Sequence, residues 1–155
     1  MNYLKKVEQF HNTFNAPVLL SPTLIDKKRA ELRIKLIQEE LDELKEAVAN
    51  DDLVEVADAL ADIQYVLSGT ILEFGMKDIF NKMFDEVHQS NMSKACTAPG
   101  EVNETMKHYA AKGIKTHFLS SGSKSIIYRS EDDKILKSVF YYPANLRQFI
   151  NKTET

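Results

Sequence analysis

The sequence is short of the residues that build most alternative architectures. It has one cysteine, Cys96, in 155 residues, which excludes an intrachain disulfide framework and any multi-cysteine zinc site. Tryptophan is absent, and 5 glycines and 4 prolines are too few for a collagen-like or low-complexity chain. No apolar run reaches about 18 residues, so no membrane-spanning helix is expected. Met1-Asn2-Tyr3-Leu4-Lys5-Lys6 is followed by no apolar signal segment, and a cytoplasmic protein is expected. A basic excess is also missing: the net charge is −3 and the pI near 5.8, which argues against a nucleic-acid partner. What remains is a balance of 43% hydrophobic and 28% charged residues, suited to one globular domain of roughly 100–200 residues.

Helical periodicity dominates the first two thirds. Val7, Phe10 and Phe14 mark a short helix over 3–14, ended by Asn15-Ala16-Pro17. From Asp26, a candidate N-cap, to about Asn50 the chain is rich in Ala, Leu, Glu, Lys and Arg, without Gly or Pro. Asn50-Asp51-Asp52 predicts a tight reversal, a third helix runs from Leu53 to Phe74, and Gly75 stops it. A fourth helix starts near Asp78, with Ile79, Phe80, Met83, Phe84 and Val87 on one side. Beyond Thr97-Ala98-Pro99-Gly100 a short polar helix spans Glu101 to Ala111. Ser125–Arg129 and Ile135–Val139 flank a polar turn and read as a hairpin, and Pro143 opens a last helix through Ile150. The expectation is one domain over 1–155: a helical core (1–96), an inserted helical segment (97–121), and a hairpin with a C-terminal helix (122–155).

The chemistry is concentrated on the second and third helices. On a helical wheel Leu36, Ile37, Leu41, Leu44, Ala47 and Val48 share an arc that contains Glu40, with Glu43 on its margin and Glu39, Asp42, Lys45 and Glu46 opposite. A core-facing Glu needs a partner; Arg33, two turns earlier, is one candidate and a metal ion another. On the third helix Glu55, Asp58 and Asp62 share a narrow stripe. Between Ala47 and Met76 there are six acids and no Lys or Arg, whereas a solvated helix face interleaves basic partners. The short connection makes the two helices antiparallel, so Glu43 faces Asp58 and Glu40 lies near Ala61 and Asp62. Converging carboxylates repel unless cations sit among them. Hard oxygen donors select Mg2+ or Mn2+, and carboxylate-held Mg2+ points to phosphoryl chemistry. A solvated acidic face that binds a partner protein or divalent ions without catalysis is the competing reading.

Other polar residues are less specific. Ser90-Asn91-Met92-Ser93-Lys94 is either a phosphate-contacting segment or a polar helix exit. Tyr65, on the acid stripe, either stacks on a base or roofs the pocket. His11, His88, His108 and His117 lack paired metal spacing, and a single acid-x-x-His at Asp85–His88 is half of what a di-iron carboxylate bundle requires. Cys96 has no supporting motif.

Glu39-Glu40-Leu41-Asp42-Glu43-Leu44, followed by Glu55-Val56-Ala57-Asp58-Ala59-Leu60-Ala61-Asp62, resembles the ExxE and ExxD signature of the all-α nucleoside triphosphate pyrophosphohydrolases. These comprise MazG, the dimeric dUTPases and phosphoribosyl-ATP pyrophosphohydrolase. Phe84 to Lys94, Ile127 to Ser138 and Tyr142 to Leu146 resemble the MazG-like branch. The resemblance implies an all-α antiparallel helical bundle with a small C-terminal β-hairpin. It also implies a Mg2+-dependent hydrolase, with Mn2+ as the substitute, that cleaves a nucleoside triphosphate to monophosphate and pyrophosphate. Carried over, Glu40 and Glu43 form the first metal-ligating pair and Glu55 and Asp58 the second; Asp62 is a further acid, and either Asp58 or Asp62 is the primary ligand. Glu39 joins Glu40 as a catalytic candidate that orients or deprotonates water. Arg33, Tyr65, Asn91 and Lys94 are substrate-binding candidates. The family also implies a homodimer or a dimer of dimers. Eleven residues between Glu43 and Glu55 are at the short end for the signature, and 97–121 has no family role. Base readout is expected from Asn15–Ile25 and a neighbouring subunit. Phosphoribosyl-ATP is the alternative substrate.

Overall fold

A computed structural model describes residues 3–150, and within them the chain is mostly helical with one small antiparallel hairpin. The elements are α1 (Tyr3–Thr13), α2 (Lys27–Ala49), α3 (Leu53–Glu73), α4 (Phe80–Met92), α5 (Glu101–Ala110), β1 (Thr116–Ser121), β2 (Lys124–Arg129) and α6 (Arg147–Ile150). Among the described residues they form two compact units, residues 3–80 with Ile150, and residues 81–149. α4 lies almost wholly in the second unit.

In the first unit α2 and α3 form an antiparallel pair, with α1 laid against α3. Asp26 caps α2 by accepting the Arg29 N–H at 3.0 Å, a contact of about 1 kcal/mol. The reversal uses Asp51 in the left-handed region (φ 55°), and the Asp52 carboxylate caps α3 by accepting from Val54 and Glu55 N–H at 3.0 and 3.2 Å. At the other end Gly75 has φ 68°, and Met76 N–H reaches back to the Ile71 carbonyl at 3.0 Å, closing the helix in a Schellman turn. A Cβ at Gly75 would overlap the Ser21 carbonyl. The loop between α1 and α2 is tied to this end by Leu19 N–H to Leu72 O (3.0 Å) and Thr23 N–H to Phe74 O (3.1 Å).

The second unit is organised around Cys96, Ile127 and Leu136, with Val102, Met106, Tyr109 and Ile114 packed on them. Its hairpin differs from the expected one. β2 pairs with β1, in register Thr116↔Arg129 through Ser121↔Lys124, so a strand occupies the end of the segment expected to be a helical insertion. Gly122 at φ 59° supplies the turn. The expected partner, Ile135–Val139, contributes an isolated bridge, Tyr128↔Ile135, and the Leu136 N–H bond to Ile127 O at 2.8 Å. Beyond it Ser138 turns its hydroxyl to the Glu101 carboxylate and its N–H to the Lys94 carbonyl, which draws the chain off the ladder. The helix expected from Pro143 is reduced to Arg147–Ile150.

Candidate functional site

Two small residues let α2 and α3 approach: Ala47 and Ala59 are buried, 5% and 4% exposed. Around them opens a groove of about 450 Å3, lined by Glu43, Glu46 and Asn50 of the α2 end and by Asp52, Glu55 and Asp58 across it. Glu43 and Asp58 thus line one groove. Asp52 is committed to its cap. Glu46 was expected on the opposite arc of α2 and instead lines the groove; it stands three residues from Glu43 and beside Ala47, and the burial of both alanines was the signal that would have placed the groove there. Asn50 was read only as a turn residue.

Glu40 stands at the edge of this acidic region. It is half-buried rather than core-facing, because the neighbouring apolar positions Leu41 and Val48 are themselves exposed, at 40% and 59%. Its carboxyl is pushed above the ordinary range by burial first, then by the charges of Glu43, Asp62, Glu39 and Asp58. The sign of every charge effect is repulsive, so five acids from two helices share one electrostatic neighbourhood. Among the described residues no ion pair involves Glu40, Glu43, Glu46, Glu55, Asp58 or Asp62. Glu39 is different: its carboxylate pairs with Lys35 at 3.2 Å on the exposed face.

The donor set fits a hard divalent cation by type: carboxylate oxygens, with one amide at Asn50. The side chains do not stand as a closed cage, since no group of three or more His, Cys, Asp or Glu among the described residues is arranged to hold a metal ion.

The remaining candidates lie elsewhere. Arg33 does not partner Glu40. It is 7% exposed, and its guanidinium donates to Glu73 (3.3 Å), the Val66 carbonyl (2.9 Å) and Thr70 Oγ1 (3.3 Å). Glu73, 1% exposed, also accepts from Arg29, with Nε to Oε2 at 3.0 Å. This buried network was invisible to the wheel, because Glu73 was counted among the six acids and not recognised as the partner of two arginines. Tyr65 packs edge-on against Phe10, ring centroids 5.7 Å apart, and lines a separate concavity between α1 and α3. Asn91 and Lys94 lie in the second unit, where Lys94 Nζ donates to Asn91 Oδ1 at 2.7 Å. Ser90 and Ser93 of the same segment bind internally: Ser90 donates to the Tyr142 carbonyl (2.8 Å), and Ser93 Oγ donates to the Ser90 carbonyl (2.7 Å) while accepting the Tyr142 N–H (3.2 Å). Among the described residues no helix is long and apolar enough to cross a membrane.

The chain is similar over 96% of its length to an uncharacterized protein of Acanthamoeba polyphaga mimivirus, 23% identical across an alignment of 240 positions that covers 95% of that protein. The family model for phosphoribosyl-ATP pyrophosphohydrolase matches residues 7–91. That span contains α1, α2, α3 and nearly all of α4, hence every carboxylate of the groove. By this match over more than half of its length, the chain belongs to the phosphoribosyl-ATP pyrophosphohydrolase family, within the MazG-like superfamily of nucleotide pyrophosphohydrolases.

Proposed function

We propose that the protein is a Mg2+-dependent nucleoside triphosphate pyrophosphohydrolase that cuts between the α- and β-phosphates and releases a nucleoside monophosphate and pyrophosphate. The observation that carries this reading is the groove walled by Glu43, Glu46, Glu55 and Asp58 from two antiparallel helices, beside the half-buried Glu40, with no basic residue in the third helix to relieve their repulsion. Such an arrangement is unfavourable until a cation enters. When bound, a divalent cation would neutralise charge on the phosphate oxygens. Glu40, Glu43, Glu55, Asp58 and Asp62 are the residues that would hold it, and Glu46 joins them from the groove wall. Glu39 orients or deprotonates the water that attacks the α-phosphorus, leaving Lys35 to do so. Asn91 and Lys94 are the phosphate contacts.

The exposed apolar residues of the first unit support a homodimer or dimer of dimers. Leu53 is 79% exposed, Val54 75%, Val48 59% and Leu60 52%, more apolar area than an isolated helical pair leaves in water without cost. Sedimentation at micromolar concentration tests the assembly.

The reaction is tested with a panel of canonical and modified ribo- and deoxynucleoside triphosphates, with phosphoribosyl-ATP included, assayed for pyrophosphate in Mg2+. Monophosphate and pyrophosphate are expected. Diphosphate and inorganic phosphate as the main products would overturn the assignment in favour of a metal-dependent phosphatase.

A further inference from the structure

The first unit holds a second concavity, of about 430 Å3, between α1 and α3. Its chemistry is opposite to that of the acidic groove. Val7, Leu60 and Ala61 give it apolar walls, Tyr3 and Tyr65 bring rings to it, Lys6 brings an ammonium, and among the described residues Gln64 is its one uncharged polar side chain apart from the tyrosines. An apolar slot with aromatic rings and one positioned amide is the usual composition of a site for a flat heterocycle.

Gln64 is oriented by its neighbour. The Ser68 hydroxyl donates its single proton to the Gln64 backbone carbonyl at 2.8 Å. Toward the Gln64 carboxamide, 3.1 Å away, the same oxygen can act only as an acceptor. The amide must therefore turn its NH2 to Ser68. Ser68 is 0% exposed, so water does not compete for that bond. The carboxamide oxygen, Oε1, is left with no partner among the described residues. It is an acceptor of fixed orientation beside an apolar slot.

We propose that this concavity receives the base of the nucleotide, and that Gln64 selects bases whose exocyclic amine stands at purine C6 or pyrimidine C4, adenine or cytosine, and not at purine C2 as in guanine. The inference rests on the pyrophosphohydrolase reading. The amine donates to Oε1, while the second amide proton is free to meet the ring nitrogen beside that amine. A guanine or uracil carbonyl in the same place would set two acceptors face to face. The location suits a nucleotide: Tyr65 is three residues from Asp62 on α3 and so adjoins it on the helix surface. Asp62 in turn acts on Glu40. A base against Tyr65 leaves its phosphates on the carboxylate side.

The experiment compares kcat/KM for ATP, CTP, GTP and UTP, with Mg2+, in the wild type, Gln64→Leu and Ala61→Phe. A second measurement titrates adenosine onto the labelled wild-type protein and follows the Gln64 side-chain amide resonances. The wild type is expected to prefer ATP or CTP over GTP and UTP by on the order of 10–100-fold. Gln64→Leu should collapse that ratio, and Ala61→Phe, which fills the slot, should raise KM for every nucleotide. If triphosphates are hydrolysed and the ratio is the same in wild type and Gln64→Leu, the base pocket is refuted and the pyrophosphohydrolase reading stands. If no triphosphate is hydrolysed yet adenosine shifts the Gln64 amide, the pocket stands and that reading falls. Neither hydrolysis nor a shift overturns both.

Discussion

Arg33 Nη1 lies 3.3 Å from Glu73 Oε1 and joins the second turn of α2 to the last turn of α3. Both side chains are buried, and Arg33 also donates to the Val66 carbonyl, which accepts the Thr70 hydroxyl of its own helix as well. Gly69 makes this possible, since a Cβ there would collide with the Arg33 guanidinium and crowd His11 Nε2. Replacing Arg33 by Met keeps the volume but strands much of the Glu73 charge on Arg29 alone. The expected cost is about 3–5 kcal/mol, the range for breaking a buried pair from one side. Urea unfolding of the full chain checks it. A loss under about 1 kcal/mol would mean that the pair behaves as a surface ion pair.

Lys94 offers a test of phosphate contact. Among the described residues its ammonium donates only to Asn91, while its backbone carbonyl accepts the Ser138 N–H; truncation to Ala removes the first and spares the second. Lys94→Ala should therefore fold normally and lose turnover by about 10–10³-fold, as for removal of one electrostatic stabiliser. Steady-state kinetics at saturating Mg2+ decides; unchanged kcat and KM would return Lys94 to the role of a polar helix exit.

Glu101 is the buried contributor to the acid sensitivity of the second unit, beside the exposed Asp132, whose carboxyl the Arg129 guanidinium holds down to about 2. Burial alone would push its carboxyl up, but the Ala98 N–H, the Ser138 hydroxyl and the Thr97 N–H all donate to it and together hold it below the ordinary 4.5. A depressed pKa means that the folded state prefers the ionised form. The stabilisation is complete above the unfolded value and is lost as pH falls through the folded one. Unfolding of this unit, followed at the Ile127 and Tyr109 resonances, should become easier on acidification below about pH 4.5. Glu101→Gln should flatten that dependence and cost about 1–3 kcal/mol at neutral pH, because its NH2 faces donors.

Local signals placed the first four helices well. Asp26 and Asp52 are caps, Gly75 needs its positive φ, and a three-residue reversal leaves the second and third helices no arrangement except antiparallel. The meeting of Glu43 and Asp58 follows from that reversal by symmetry alone. Nonlocal choices were not legible. β2 had two candidate partners of similar composition, and Ser138 was drawn away by Glu101, a residue 37 positions earlier. Arg33 had acids on either side of it in sequence, and only the packing of α2 on α3 selects Glu73. The apolar arc of α2 implies a buried helix, whereas its Leu41 and Val48 are 40% and 59% exposed, so the arc does not mark the face that carries Glu46.

Glu40 separates a metal site from a solvated acidic face. Its carboxylate is disfavoured by burial and by Glu43, Asp62, Glu39 and Asp58, and no cationic side chain compensates it among the described residues. In metal-free protein Glu40→Gln removes one repelled charge at nearly constant volume, so the variant should melt at the same temperature as wild type or above it. Mg2+ that binds the folded state alone stabilises it by RT ln(1 + [L]/Kd), about 2.7 kcal/mol at a hundredfold excess over Kd. For a chain of this size that raises the melting temperature by about 5–10 °C. Glu40→Gln should lose most of this increment together with hydrolysis, since an amide oxygen is a weaker ligand for a hard cation than a carboxylate. Thermal melts of wild type and variant, each with and without Mg2+, make the comparison. Arg33 is already committed to Glu73, so a lower melting temperature for metal-free Glu40→Gln cannot be traced to a lost pair between Glu40 and Arg33. A full Mg2+ increment in the variant would remove Glu40 from the ligand set and leave the cation to Glu43, Glu46, Glu55, Asp58 and Asp62.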